Sequence, residues 1–166
     1  MPEFNWKLIA FLALILVLSV GGCSSDLSEA QLAFREGTDL LQQGHYESAI
    51  RAFDKGIQLD PTFSVAYYSR GYTYGQLGQH ERAIQDFGKA IQLAPGYVPA
   101  YNNRGSIYGK MRQYERAIQD YDKAIQLHPS YAAAYGNRGY AYGQLGQNAE
   151  ADADKAKACS LDSQFC

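Results

Sequence analysis

The 166-residue chain carries a formal net charge of −2, from 15 Lys and Arg against 17 Asp and Glu, and 46% of it is apolar. That balance lacks the basic face that nucleic-acid binding requires, while the apolar share is ample for a folded core. Fourteen tyrosines are many for this length, and their spacing proves informative.

The first element is an apolar run, Leu8 to Val20, thirteen residues without a charge. A membrane-crossing helix takes about 20 apolar residues, so the run is short for a span and suits the core of a secretory signal. Lys7 precedes it, and Val20, Gly21 and Gly22 are small enough for a peptidase pocket. The segment Val20-Gly21-Gly22-Cys23 resembles the lipobox of bacterial lipoproteins. The resemblance implies cleavage before Cys23, acylation of its sulfur and of the new amine, and anchoring without a spanning helix, since stable anchoring takes more than one acyl chain. Ser24, rather than an aspartate, points by the same resemblance to the outer membrane. An uncleaved, slightly short anchor is the alternative. Either way the rest of the chain is expected outside the cytoplasm, on the periplasmic or extracellular face of the envelope. Residues 1–22 therefore read as a signal peptide and 23–28 as a short tether.

The remainder repeats. Pro61, Pro95 and Pro129 are 34 residues apart, and residues 46–61, 80–95 and 114–129 align without gaps. A fixed period of this size marks a stacked array of one supersecondary unit. Each copy holds two segments of helical periodicity. In the second copy Tyr67, Gly71 and Tyr74 share one face, and Ala83, Ile84, Phe87, Ala90 and Ile91 form an amphipathic stripe. Gly78 suits the end of a first helix, and proline closes each unit because it cannot continue a helix. Phe63, Tyr97 and Tyr131, just before the following helices, are placed to staple their starts.

Gly37, Gly71, Gly105 and Gly139 recur in register with Ala49, Ala83, Ala117 and Ala151. Glycine inside a helix costs about 1 kcal/mol relative to alanine, so its recurrence implies close packing of two antiparallel helices. Ala90, Ala124 and Ala158 are expected to do the same between units, with Gly56 in that role in the first. With Tyr67, Tyr101 and Tyr135, the aromatics Phe53, Phe87 and Tyr121, and the closing prolines, these residues resemble the tetratricopeptide repeat family. The resemblance implies an all-α, right-handed superhelical solenoid of antiparallel helix pairs. It covers residues 29–163, with repeats at about 30–63, 64–97, 98–131 and 132–163 and a tail at 164–166. It also implies that the first helix of each pair lines a concave groove.

The first copy is looser, with Ala33 in the place of the tyrosine. The fourth departs in its second helix, where Asp152 replaces isoleucine, Lys155 the aromatic and Ser163 the proline. Terminal repeats need a polar outer face, so this helix reads as a cap.

No pattern of residues suggests catalysis, and neither a cofactor nor a metal is implied. His45, His80 and His128 fall in turns or at helix ends and read as solvated surface. Asp86 and Asp120 repeat by 34, as do Arg70, Arg104 and Arg138, so they read as scaffold ion pairs. Cys159 and Cys166 form a disulfide or stay as free thiols; a zinc site needs about four ligands, and no histidine lies near them.

Binding is the stronger signal. The first helices are expected to turn Phe34, Tyr68, Asn102 and Gly136 inward, followed one turn later by Thr38, Tyr72, Ser106 and Tyr140. Gly75 and Gly109 would deepen the groove, Asn103 and Asn137 would meet a peptide backbone, and Lys110 would be its cation. Tyrosine offers rigid contact area with a polar tip. The expected function is a membrane-tethered, non-catalytic adaptor that binds a peptide or helix of partner proteins, in pilus, secretion or cell-wall assembly. A self-associating structural lipoprotein is the alternative. The expected partners are proteins in the groove and the membrane at Cys23, with no nucleic acid.

Overall fold

The computed structural model describes residues 27–166; residues 1–26, with the apolar run, the signal-peptide boundary and Cys23, lie outside the described residues. Eight helices follow in order: α1 Glu29–Gln42, α2 Tyr46–Leu59, α3 Ser64–Gln76, α4 His80–Leu93, α5 Val98–Lys110, α6 Tyr114–Leu127, α7 Ala132–Gln144 and α8 Asn148–Leu161. A single 3₁₀ turn, Ser163–Phe165, ends the chain. The architecture is an all-α helical-repeat solenoid, and no helix among the described residues is long and apolar enough to cross a membrane.

Helices pair as α1/α2, α3/α4, α5/α6 and α7/α8, and each second helix packs on the first helix of the next pair. The turn within a pair needs one left-handed residue. Gly44, Gly78 and Gly146 supply it at φ 77, 72 and 76°, and Arg112 supplies it at φ 60° in the third pair. There the Gln113 N–H donates back to the Tyr108 carbonyl, as Gln79 N–H does to Tyr74, so the helix end is closed even though the residue is not glycine.

The period places small residues where helices cross. Ala49, Ala83 and Ala117 are fully buried, as are Ala66, Ala100 and Ala134. A Cβ on Gly105 would stand 2.8 Å from Tyr121 Cε1 and 3.1 Å from the Ala117 carbonyl oxygen. The recurrent glycines thus make room for the aromatic of the partner helix as well as for the alanine backbone. Gly56 differs from expectation: its nearest neighbours are Ala30, Ala33 and Phe34 of α1, so it tightens its own pair rather than the junction with the next.

Arginine and aspartate lock these pairs. Arg70 grips Asp86, Arg104 grips Asp120 and Arg138 grips Asp154, each through Nε and Nη2. Arg70 and Arg138 also reach back to Asp54 and Asp122 of the preceding pair. Donation to the Asp154 carboxylate outweighs desolvation and holds the Arg138 guanidinium above its usual range. Cys159 and Cys166 are joined as a disulfide.

Residues 164–166 are not a free tail. Phe165 lies 34 residues after Tyr131, in register with Phe63 and Tyr97. An ideal Cβ on Gly136 would sit 3.0 Å from its ring, just as Phe63 packs on Phe34 and Tyr97 on Tyr68 with centroids 5.1 and 4.9 Å apart. In the fourth pair the ring lies directly over a glycine, where the others meet a side chain.

Candidate functional site

The first helices also touch across neighbouring pairs, α1 on α3, α3 on α5 and α5 on α7. They form the inner layer of the stack, and the side chains they leave uncovered make its candidate binding side. A cavity of about 150 Å³ opens between α3 and α5. Tyr72, Gly75 and Gln76 form one wall, Asn103, Ser106 and Lys110 the other, and Phe87 and Ile107 the floor. Gly75 admits this space because a Cβ there would stand 3.2 Å from Ile107 Cδ1. Tyr72, Gly75, Asn103, Ser106 and Lys110 are thus brought together. Gly109, half-buried on the same helix, adds no side chain.

Tyr140 is 64% exposed and Tyr72 41%, so both present their rings to solvent from the inner layer. Tyr68 is half-buried. Its ring packs on Phe87 and Tyr97, and its hydroxyl accepts from Asn103 Nδ2 at 2.9 Å. Burial pushes its phenol up to about 12. Phe34 also packs inward, against Phe53 and Phe63, and Thr38 Oγ1 donates to the Phe34 carbonyl. Phe34 and Thr38 therefore support the first-pair end of the inner layer and line neither the α3/α5 cavity nor the one at the far end.

Asn102 departs from expectation. It is 6% exposed, held between neighbours and unable to face a ligand as an open wall residue. Its Nδ2 donates to Asn103 Oδ1, and its Oδ1 accepts from Asn137 Nδ2 at 3.0 Å. The result is a polar ladder, Asn137–Asn102–Asn103–Tyr68, running across three pairs. Buried amides need such partners. Asn103 and Asn137 each spend one N–H on the ladder and keep further hydrogen-bonding capacity for a ligand.

The fourth pair has a second cavity, about 400 Å³, whose lining includes Asn137, Tyr140, Gly136 and Phe165. Sequence reasoning missed Phe165 as a wall residue, although the 34-residue spacing from Tyr131 was available to find it. His80 is half-buried, not solvated, and its shielded Nδ1 has no partner among the described residues. Among those residues no group of three or more His, Cys, Asp or Glu could hold a metal ion.

Family models described as Tetratricopeptide repeat match residues 64–97, 98–131 and 120–153, and one described as TPR repeat matches 37–78. A crystal structure of MamA is 28% identical over 93% of this chain and 88% of that one, with a TM-score of 0.78. MamA 41-end from Desulfovibrio magneticus RS-1 is 26% identical over 82% and 77%, with a TM-score of 0.76. The first TPR of Spaghetti (RPAP3) bound to HSP90 peptide SRMEEVD is 27% identical, covering 75% of this chain and 99% of that one, with a TM-score of 0.70. No curated protein matches the sequence.

Proposed function

The chain belongs to the tetratricopeptide repeat family, and on that premise we propose that it is a non-catalytic adaptor whose inner layer holds an extended segment of a partner protein at an envelope membrane. The observation that carries this reading is the open cavity between α3 and α5, walled by Tyr72, Asn103, Ser106 and Lys110. Exposed aromatic rings beside satisfied but unsaturated amides suit a peptide, which offers apolar side chains and a regular row of backbone donors and acceptors. The solved complex of a similar chain with a short peptide supports peptide binding by this fold.

The tether belongs to the proposal too. Acylation at Cys23 would leave a few residues before α1 begins at Glu29, so the groove would work close to the lipid surface and raise the local concentration of captured partners. Assembly of pili, secretion machinery or cell wall is the setting that such an adaptor fits.

End-to-end self-association is favoured less. Leu32 stands where the other three pairs carry the fully buried Ala66, Ala100 and Ala134, and Asp152 and Lys155 stand where the first three carry isoleucine and an aromatic. Neither of these two faces repeats the residues of an inner junction.

Two changes test the proposal separately. Cys23→Ala should leave an uncleaved precursor and abolish release of acylated protein; normal processing and lipid labelling would remove the tether. Tyr72→Ala with Tyr140→Ala should weaken partner capture while leaving the melting temperature nearly unchanged. Equal losses of both would make the tyrosines scaffold residues and remove the groove.

A further inference from the structure

Three helix pairs fill one place with an aromatic ring. Phe53, Phe87 and Tyr121 lie against Gly37, Gly71 and Gly105, so closely that a Cβ on those glycines would stand 2.6, 3.2 and 2.8 Å from ring carbons. The fourth pair keeps the glycine, Gly139, but carries Lys155 at the ring position. The nearest neighbours of a Cβ on Gly139 are not ring atoms but the Ala151 carbonyl, Asp154 Cβ and the Lys155 backbone nitrogen. Lys155 is exposed, and the cavity of about 400 Å³ stands in the place the ring would take, with Gly139 and Ala158 lining it beside Tyr140 and Phe165.

In the inner pairs the next first helix closes over the ring, Ile107 over Phe87 and Ala141 over Tyr121. No such helix follows α8 among the described residues, so the fourth cavity is open from outside.

We propose that this cavity receives a phenylalanine or tyrosine side chain of a partner polypeptide, which completes the fourth pair as Phe87 and Tyr121 complete the second and third. Gly139 and Ala151 repeat the Gly71 and Ala83 that hold Phe87 and the Gly105 and Ala117 that hold Tyr121, while Gly136 and Asp152 stand where the earlier pairs carry a side chain and an isoleucine. Charge at the mouth favours an aromatic over an aliphatic side chain. The Lys155 ammonium at the mouth attracts the negative face of a ring, and Asp152, also at the mouth, offsets its charge, so a neutral side chain fits best. Phe165 forms one wall, and the disulfide between the adjacent Cys166 and Cys159 fixes it in place. A preformed wall lowers the ordering cost of binding. Asn137 and Tyr140 belong both to the inner layer and to this cavity, so one partner segment can lie along the layer and end with its ring here. The site stands apart from the α3/α5 cavity, and its failure would leave the groove reading intact.

The test is a heteronuclear NMR titration of the full chain in detergent with N-acetylphenylalaninamide, N-acetyltyrosinamide and N-acetylleucinamide. The aromatic amides should shift Gly139, Tyr140 and Ala158 at a concentration about threefold or more below that needed for leucinamide, the ratio a ring–ammonium attraction produces. Lys155→Phe supplies the ring in cis. It should raise the melting temperature and abolish the shifts at Gly139. Lys155→Gln leaves the cavity open, so binding should persist about threefold weaker; this variant decides the matter if Lys155→Phe does not fold. Equal binding of leucinamide, shifts confined to Tyr72 and Ser106, or undiminished binding by Lys155→Phe would overturn the proposal.

Discussion

Arg138 holds Asp154 through two parallel hydrogen bonds, Nε to Oδ2 and Nη2 to Oδ1, both 2.7 Å. Asp154 is 6% exposed, whereas the second acid on the same arginine, Asp122, keeps 51% of its side chain in solvent. The two carboxylates share a partner and differ in burial, so they separate the energetics of a buried pair from those of a surface pair.

Asp154→Ala leaves a half-buried guanidinium short of its main partner and should destabilise the protein by about 3 kcal/mol, the order seen when a buried pair is broken. Asp122→Ala should cost less than about 1 kcal/mol. Urea unfolding midpoints of the two variants would check this, and equal losses would contradict it. Arg104 has no acid in that second place, because Gly88 stands where Asp54 and Asp122 stand. Gly88→Asp should therefore stabilise by about 1 kcal/mol, from a better helix former and a new surface pair.

Arg112 occupies the left-handed turn position at φ 60° where three glycines serve in the other pairs. A left-handed non-glycine residue is disfavoured by about 1–2 kcal/mol. Arg112→Gly should recover roughly 1 kcal/mol, less the extra chain entropy glycine loses on folding, and raise the melting temperature by a few degrees. Gly78→Arg should do the reverse by a similar amount.

Gly105 lies under the Tyr121 ring. Gly105→Ala gains helix propensity but forces a ring that is 3% exposed to move, and the net effect should be a loss of about 1–2 kcal/mol. The same change in a Tyr121→Leu background should cost less. Calorimetry of the four proteins in that cycle measures the coupling, and an additive result would mean that the glycine answers to backbone contact alone.

How much of this was legible follows from what each residue depends on. The four helix pairs, the fully buried alanines and the Arg–Asp pairs follow from the 34-residue period, because a residue repeated in register performs one packing task wherever it occurs. Asn102 was misplaced for the complementary reason. Its position carries an aromatic in the first two pairs and glycine in the fourth, so its surroundings are set by neighbours in other pairs, Asn103 and Asn137, and not by the period. Phe165 and the end cavity escaped because their meaning lies in what the fourth pair lacks. Absence of a ring at Lys155 is visible in the sequence, but whether the space collapses or stays open depends on the helix spacing that Gly139 and Ala151 hold.

Alkaline pH provides a further check on the inner layer. Burial raises the Tyr68 phenol to about 12 from an ordinary 10. The neutral form is favoured in the folded state, so its contribution to stability is complete below pH 10 and is lost as the pH rises toward 12. Stability of the unmodified chain should fall across that window, and Tyr68→Phe should reduce the fall. An identical pH profile for the two proteins would show that Tyr68 ionises freely and that the ladder from Asn103 leaves its ring open to solvent.

A partner polypeptide is expected to occupy the inner layer, and site-specific photo-crosslinking in intact envelopes tests that most directly. A benzophenone side chain would be placed in turn at Tyr72 and Tyr140 on the first helices and at the exposed Gln85 and Gln119 on the second helices. Irradiation should yield a discrete adduct with another polypeptide from positions 72 and 140 and none from 85 and 119. Adducts of equal yield from all four positions, or from the second helices alone, would contradict it.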